Sequence, residues 1–167
     1  MLIRDAILGD APAFATLVVA CWRTAYRGVL PDEALDREDH AARVIRIEQR
    51  MRDGWTSYAA ERGGRVTGLA RLAARPAHGH DAELEGLYVD PAVQRTGVGR
   101  ALLRHACTRL AAAGQRTLYI HTLRDNPGGR AFYERLGGEL VIEDTWSFEA
   151  IAYPAVGYRW PDLATLC

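Results

Sequence analysis

The chain has 167 residues, of which 49% are apolar and 25% are charged, and its formal net charge at pH 7 is zero. These values predict one globular domain over residues 1–167, and they speak against a nucleic-acid binder or a polybasic membrane-surface protein. No apolar run reaches the roughly 20 residues of a transmembrane helix, and the first residues lack the pattern of a secretory signal. Three widely separated cysteines, Cys21, Cys107 and Cys167, fit neither a disulfide framework nor a metal site, so we expect a cytoplasmic protein.

Hydrophobic spacing and turn residues predict the secondary structure in chain order. The first half reads as a strand over 2–7, a helix that begins near Asp10, a second helix that begins at Asp36 or Asp39, and a hairpin turned by Gly63-Gly64. The second half reads as a strand, a helix, a strand, a short helix and two final strands, over 83–89, 97–113, 117–123, 126–136, 139–148 and 152–160. This order predicts an α/β fold with α+β character, in which a mixed, mostly antiparallel sheet of about seven strands has helices on both faces.

The loop that follows the strand over 83–89 carries the clearest chemistry. It leads into a helix whose first turn has unpaired N–H groups and the positive end of the helix dipole. Gly97 and Gly99 lack Cβ atoms, so a phosphate can approach the main chain, and Arg95 and Arg100 add positive charge. The segment therefore predicts an anion site that suits a pyrophosphate, although glycines at a helix start also serve close packing alone. Neither a full Rossmann fingerprint nor a P-loop lysine is present.

Two motifs together resemble one enzyme family. The spacing Gln94-x-x-Gly97-x-Gly99 after Leu-Tyr-Val-Asp-Pro resembles the acetyl-CoA loop of the GNAT superfamily of acyl-CoA-dependent N-acetyltransferases. The segment from Asn126 to Gly137 resembles that family's Asn-x-x-Ala-x-x-Phe-Tyr-x-x-x-Gly motif, one helix and one strand further on. The resemblance implies the GNAT fold, with one β-α-β cofactor unit, and a small single-domain enzyme of the bacterial type.

The resemblance also implies how acetyl-CoA is held as the acetyl donor. Pantetheine would lie in a gap between the strands over 83–89 and 117–123, bonded to the main chain of Leu87 and Val89. The N–H of Val89 would also polarise the thioester carbonyl. The implied cofactor-binding residues are Leu87, Tyr88, Val89, Gln94, Arg95, Thr96, Gly97, Val98, Gly99, Arg100, Asn126, Gly129 and Tyr133.

Two positions depart from the family pattern. Gly129 replaces the usual small Ala, a change that we expect to leave the pantetheine wall intact. Gly138 replaces a Phe that is common in the family, which predicts a missing aromatic wall near the thiol and room for a longer acyl group.

The resemblance implies catalytic roles for Tyr133, Glu83 and Glu85. Tyr133 matches the general acid that protonates the departing thiolate, since a phenol with a pKa near 10 stays protonated at pH 7; a helix aromatic packed on the sheet is the alternative. Strict strand alternation puts both glutamates on one face with Leu87 and Val89. Either glutamate is a candidate base or a site for the substrate ammonium, unless it simply faces solvent. His121 is a further base candidate or a packed strand residue.

The sequence identifies the residues that bind the amine acceptor less precisely than those that bind acetyl-CoA. Family members build the acceptor pocket where this chain has Trp22 and Tyr26, which share a helix face, and we assign substrate binding to these two with Glu85 and Trp146. Core packing is the alternative for Trp22. The resulting prediction is direct transfer from acetyl-CoA, in a ternary complex, to a small polar primary amine in a closed, carboxylate-lined pocket. A protein N-terminal or lysine acetyltransferase and a non-catalytic acyl-CoA sensor are the alternatives, and a homodimer is suggested by analogy alone.

Overall fold

A computed structural model describes residues 1–37, 39–76 and 78–167, so Glu38 and Ala77 lie outside the described residues. The strands are β1 Leu2–Asp5, β2 Thr56–Arg62, β3 Arg65–Leu72, β4 Ala82–Val89, β5 Leu118–Leu123, β6 Glu139–Phe148 and β7 Ile151–Trp160. The α-helices are α1 Ala11–Ala25, α2 Asp32–Asp36, α3 His40–Arg52, α4 Val98–Ala112 and α5 Pro127–Arg135. None of the helices in the described ranges is long and apolar enough to cross a membrane.

The strands form one seven-stranded sheet in the order β1-β2-β3-β4-β5-β7-β6. Among the described strand pairs, β4 and β5 run parallel and the others run antiparallel. The predicted mixed, mostly antiparallel sheet is therefore confirmed, with α4 as the crossover between its two parallel strands.

Local chemistry explains most element boundaries. Gly63 and Gly64 have φ values of 59° and 75°, which the tight turn between β2 and β3 requires. Asp39 begins α3 because its carboxylate accepts hydrogen bonds from the N–H groups of Ala41 and Ala42. The short helix α2 was not expected from the sequence.

Two apolar layers cover the two faces of the sheet. On the face that we call the α4 face, Leu102 and Leu103 of α4 pack with Leu84 of β4. On the opposite face, the α1 face, Phe14 and Val18 of α1 join a separate cluster that includes one side of α3. A substrate that reaches the middle of the sheet must therefore approach between these layers or at the sheet's open end.

A β-bulge in β4 changes which face its residues occupy. Arg71 of β3 pairs with Gly86, whereas the next residue of β3, Leu72, pairs with Leu84. Glu85 is thus an extra residue opposite Arg71, and a bulge of this kind interrupts the strict alternation of side chains.

The bulge shows that one expectation from the sequence is wrong. Leu87 and Val89 pack against the α4 cluster, as does Leu84. Glu85 instead bonds to arginines on the α1 face, and Glu83 shares that face because its neighbour Leu84 points the other way. The two glutamates therefore do not share a face with Leu87 and Val89, because one inserted residue reverses the alternation between them.

Candidate active site

A gap opens between the two parallel strands. Their register pairs are Ala82 with Leu118, Glu83 with Tyr119 and Leu84 with Ile120, and the pairing stops there. Beyond Ile120, β5 stays paired with β7 as far as Leu123, so β4 is the strand that leaves the ladder. The predicted separation of these strands is present, and it begins next to the bulge in β4.

The exposed edge of β4 presents main-chain groups to this gap. The N–H of Asp90 donates to the carbonyl oxygen of Thr67 in β3 at 3.0 Å. Bonding alternates along an antiparallel pair, so the N–H groups of Leu87 and Val89 point away from β3 and into the gap. The main-chain groups that the resemblance assigned to pantetheine are thus open to a ligand on that side.

The loop after β4 leaves the start of α4 without a side-chain cap. Gly97 and Arg95 have φ values of 90° and 61°, and the helix begins at Val98. Thr96 donates to the carbonyl of Val93 at 2.7 Å, and Gln94 donates to that of Val89 at 3.2 Å. These bonds shape the loop from within, so the first N–H groups of α4 remain available to an anion.

The cofactor-binding residues predicted from the two motifs do not all lie on this loop. Val98 is buried in the α4 cluster and Arg100 is exposed beside it. Tyr88 points to the α1 face, where it packs against the cluster that holds α1. Its side chain therefore leaves β4 on the side opposite Leu87 and Val89, and its predicted contact with the cofactor stays a prediction.

Asn126 uses its side chain to begin α5. Its Oδ1 accepts the N–H of Gly129 at 3.0 Å, and its Nδ2 donates to Oγ1 of Thr122 at 3.3 Å. A Cβ at Gly129 would stand 2.7 Å from that Nδ2, so the glycine permits this close capping. The expected contact of Asn126 with pantetheine therefore competes with a structural role of the same amide.

Tyr133 is buried at the base of the gap. Its ring packs edge-to-face on Phe132 and Trp160, at centroid distances of 5.4 and 6.1 Å. Burial raises the pKa of Tyr133 above its ordinary value, and the nearby phenols of Tyr26 and Tyr88 act in the same direction. The Tyr133 hydroxyl therefore keeps its proton at neutral pH, as a proton donor must.

The space beside Gly138 is not empty. A Cβ at this position would stand 2.8 Å from the ring of Trp160, which donates from Nε1 to the carbonyl of Leu136 at 2.9 Å. An indole from β7 therefore occupies the space that a side chain at position 138 would enter. Room near the thiol for a longer acyl group stays a prediction.

Glu85 is held by two arginines. Its Oε1 accepts from Nη1 of Arg50 at 3.1 Å, and its Oε2 accepts from Nε of Arg71 at 2.6 Å. Both oxygens of this carboxylate therefore already accept charge-assisted hydrogen bonds from guanidinium groups. The geometry thus favours Glu83 over Glu85 as a base.

Glu83 lies near a group of titratable side chains on the α1 face that the sequence did not bring together. Tyr119 pairs with it in register, and the ring of His80 stacks on Tyr119 at 5.5 Å. The Nε2 of His121 is buried and has no hydrogen-bond partner in the described ranges, and burial lowers the pKa of this imidazole. Asp144 of β6 acts electrostatically on both His121 and Tyr119. Burial raises the pKa of Tyr119 to about 12. Among the described residues, no group of three or more His, Cys, Asp or Glu is arranged to hold a metal ion.

The predicted acceptor aromatics come together at the open end of the sheet. The ring of Trp22 stands 5.8 Å from those of Tyr26 and Trp146 and 5.7 Å from that of Phe148. Burial raises the pKa of Tyr26 to about 12. Core packing and substrate contact are both compatible with this cluster, which joins α1 to the hairpin of β6 and β7.

Comparison with known proteins agrees with this geometry. A model of the acetyltransferase (GNAT) family matches residues 16–138. The N-acetyltransferase YuaI of Bacillus subtilis is 30% identical over 166 residues, which cover 98% of this chain and 95% of that protein. The chain belongs to the GNAT acetyltransferase family. A probable N-acetyltransferase of Mycobacterium tuberculosis, Rv2775, is 28% identical over 162 residues, covering 94% of this chain and 91% of that protein.

Solved structures share the fold. A ribosomal-protein-alanine N-acetyltransferase from Brucella melitensis superposes with a TM-score of 0.74 at 24% identity, over 96% of this chain and 99% of that one. Family membership confirms that the chain is an N-acetyltransferase with acetyl-CoA as its acetyl donor. The matched span contains the loop over 94–100 and Tyr133, whereas Trp146 lies beyond it.

Proposed function

We propose that this chain transfers the acetyl group of acetyl-CoA to the primary amine of a small polar acceptor, by direct attack in a ternary complex. The observation that carries this proposal is the gap between β4 and β5 beside the uncapped start of α4. Main-chain N–H groups line both parts of that path, and the positive φ of Gly97 keeps the loop open to a phosphate. These features fit a donor with a pyrophosphate and an extended amide-bearing arm.

The main chain of β4 would orient the thioester. The N–H groups of Leu87 and Val89 face the gap, and hydrogen bonds from such groups stabilise the oxygen on which negative charge develops during attack. The N–H of Val89 is the donor that the family resemblance suggests, and that of Leu87 is a second donor on the same edge.

Two side chains would move the protons. Glu83 takes a proton from the acceptor ammonium, through water, and the free amine nitrogen then bonds to the thioester carbon. The carbon–sulfur bond breaks as the phenol of Tyr133 gives its proton to the departing thiolate. The second proton on the attacking nitrogen then passes through water to the Tyr133 phenolate, which leaves a neutral amide and restores the phenol. The raised pKa of Tyr133 supports this assignment, since the group is protonated before the sulfur leaves.

The cysteines support direct attack rather than a covalent acetyl-enzyme. Burial raises the pKa of the Cys21 thiol to about 11 and that of Cys107 to about 12, so both are protonated at neutral pH. The Cys21 thiol also donates to the carbonyl of Val89 at 3.1 Å. Among the residues that the structure describes, neither thiol has a hydrogen bond to a basic side chain that could activate it, whereas direct attack by an amine needs no such intermediate.

Thermal unfolding with acetyl-CoA, CoA or NAD tests the donor, followed by release of free CoA thiol with a panel of amines. A ligand at about 100 times its dissociation constant adds about 2.7 kcal/mol of stability. We expect both CoA compounds to raise the unfolding temperature, NAD to leave it unchanged, and at least one amine to drive thiol release. Binding without acetylation of any amine would instead support an acyl-CoA sensor.

A protein N-terminus is the second candidate acceptor. The ribosomal protein bS18-alanine N-acetyltransferase of Escherichia coli is 42% identical to this chain over 57 residues, which are 34% of this chain and 38% of that protein. A hexapeptide that begins with alanine, compared with free small amines at equal concentration, separates the two acceptors. Faster acetylation of the peptide would replace the small amine in our proposal.

A further inference from the structure

Two arginines on the α1 face share a single carboxylate. Nη1 of Arg50 and Nε of Arg71 donate to different oxygens of Glu85, and no second carboxylate in the described ranges lies within ion-pair distance of either arginine. The side chain of Arg71 is 4% exposed and that of Arg50 is 42% exposed. This trio therefore carries one uncompensated positive charge in a partly buried position.

The indole of Trp55 orders the same group. Its ring centre lies 4.9 Å from the guanidinium carbon of Arg50 and 5.9 Å from that of Arg71. Stacking on an aromatic face holds a guanidinium in place without using its N–H donors. Nε and Nη2 of Arg50 have no hydrogen-bond partner in the described part of the chain, so the group retains donors for a ligand.

The trio of Arg50, Arg71 and Glu85 lies so close to the expected reaction centre that one small molecule can reach both. Glu85 is the extra residue of the bulge, and Leu87, whose N–H faces the gap, follows two residues later. Two residues of strand span about 7 Å. An acceptor whose amine nitrogen enters the gap from the α1 face therefore passes Arg50.

We propose that the acceptor carries a carboxylate as well as its amine, and that Arg50 binds this carboxylate while Glu85 and Trp55 hold the arginines in position. This inference rests on the proposed function and narrows its substrate class to amino acids. It replaces the expected carboxylate-lined pocket, because the trio of Arg50, Arg71 and Glu85 carries a net positive charge. A guanidinium with free donors pairs with a carboxylate through two parallel hydrogen bonds, which an amide of the same shape does not reproduce.

The test uses a series of ω-amino acids with two to six carbons, each paired with its neutral primary amide, and the acetyl-CoA-loaded enzyme. We expect kcat/KM to favour the acid over its amide by about tenfold or more at the best chain length. Arg50→Gln should remove that preference, lowering kcat/KM by a larger factor with the acid than with its amide. Arg52→Gln is the matched control, because Arg52 lies on the same helix and pairs with Glu48 on the exposed side.

The Arg50→Gln variant should fold, because it leaves Glu85 and Arg71 as a balanced pair; unchanged unfolding temperature and acetyl-CoA affinity check this. Equal rates for acid and amide in the parent enzyme would overturn the inference and leave the proposed function standing. Equal loss with both members of a pair in Arg50→Gln would also overturn it, since that result marks a structural role.

If the enzyme acetylates none of these amines, calorimetry with CoA-loaded protein measures whether the acid and its amide bind. Binding of the acid but not the amide, lost in Arg50→Gln, would support the carboxylate site while the transferase proposal failed. Absence of binding by both members would overturn the inference as well. A peptide pair that begins Ala-Asp or Ala-Asn separates a free amino acid from a protein N-terminus. An acid preference confined to the peptides would overturn the assignment of the acceptor as an amino acid.

Discussion

The side of the gap that we assign to acetyl-CoA and the side that we assign to the amine consist of different kinds of chemical group. The proposed donor side consists of main-chain N–H groups along one continuous stretch, from Leu87 to Arg100. The proposed acceptor side consists of side chains from α1, α3, β3, β4 and β6, such as Trp22, Arg50 and Trp146. A main-chain site depends on backbone shape, which a short motif specifies, whereas a side-chain site depends on which distant elements meet.

This difference explains why the two sides respond differently to substitution. A donor made of backbone N–H groups is lost only when the backbone changes, so glycines with positive φ are its sensitive points. A side-chain site is altered by single truncations that leave the fold intact. Substitutions on the two sides should therefore separate cleanly into effects on acetyl-CoA and effects on the amine.

The largest effect should come from Tyr133→Phe, which removes one oxygen and keeps the ring that packs on Trp160. We expect kcat to fall by about 10²-fold, because loss of general acid catalysis has that magnitude, and acetyl-CoA affinity to stay within twofold. Steady-state kinetics and calorimetry measure the two quantities. Tyr158→Phe is the control, since that hydroxyl donates to Glu134 at 2.7 Å and our proposal gives it no part in transfer. A rate for Tyr133→Phe equal to that of the parent would remove the phenol from the acid role.

Gly97→Val should act on the donor alone. A valine at a φ of 90° is strained by about 1–3 kcal/mol, so the loop rearranges and the dissociation constant for acetyl-CoA rises by about 10- to 100-fold. Gly114→Val is the matched control, because Gly114 has a φ of 82° at the other end of α4. If both variants bind acetyl-CoA equally well, the loop is not the phosphate site.

Much of the donor side could be predicted from the sequence. Turn glycines, the loop and the order of elements are local, so Gly63-Gly64 and the start of α4 appear where the pattern predicts them. The bulge at Glu85 could not be predicted, since it arises from how β3 and β4 pair. The fit of Trp160 against Gly138 joins residues 22 positions apart and was invisible for the same reason. Contacts between residues that are far apart in the sequence, rather than local conformational preferences, determine the structure at these positions.

Glu83→Gln and Glu85→Gln should distinguish two roles on the acceptor side. We expect Glu83→Gln to lower kcat/KM by about tenfold, because a carboxamide takes no proton from the acceptor. Glu85→Gln leaves Arg50 and Arg71 without the carboxylate that positions them, so the KM for a carboxylate-bearing acceptor should rise while kcat changes little. Steady-state kinetics with one acid acceptor measures both. A larger loss of kcat in Glu85→Gln than in Glu83→Gln would reverse the two assignments.

The smallest effect should come from the turn between β6 and β7, which carries Trp146 and Phe148 to Trp22. Glu149 and Ala150 have φ values of 48° and 63°, a conformation that Asn-Gly adopts with less strain. The double variant E149N/A150G should therefore raise the free energy of unfolding by about 1 kcal/mol, measured by urea denaturation.

A substitution in the hairpin of β2 and β3 should have the opposite effect on the free energy of unfolding. Gly64→Ala, at a φ of 75°, should lower the free energy of unfolding by about 1 kcal/mol, because it introduces the strain that the first variant removes. Neither turn belongs to the donor loop, so acetyl-CoA affinity should stay constant in both. A change in KM for the amine in E149N/A150G alone would show that the β6–β7 hairpin shapes the acceptor side. Equal KM in the two variants would confine the aromatic cluster around Trp22 to packing, and it would leave acceptor recognition to α3 and the bulge.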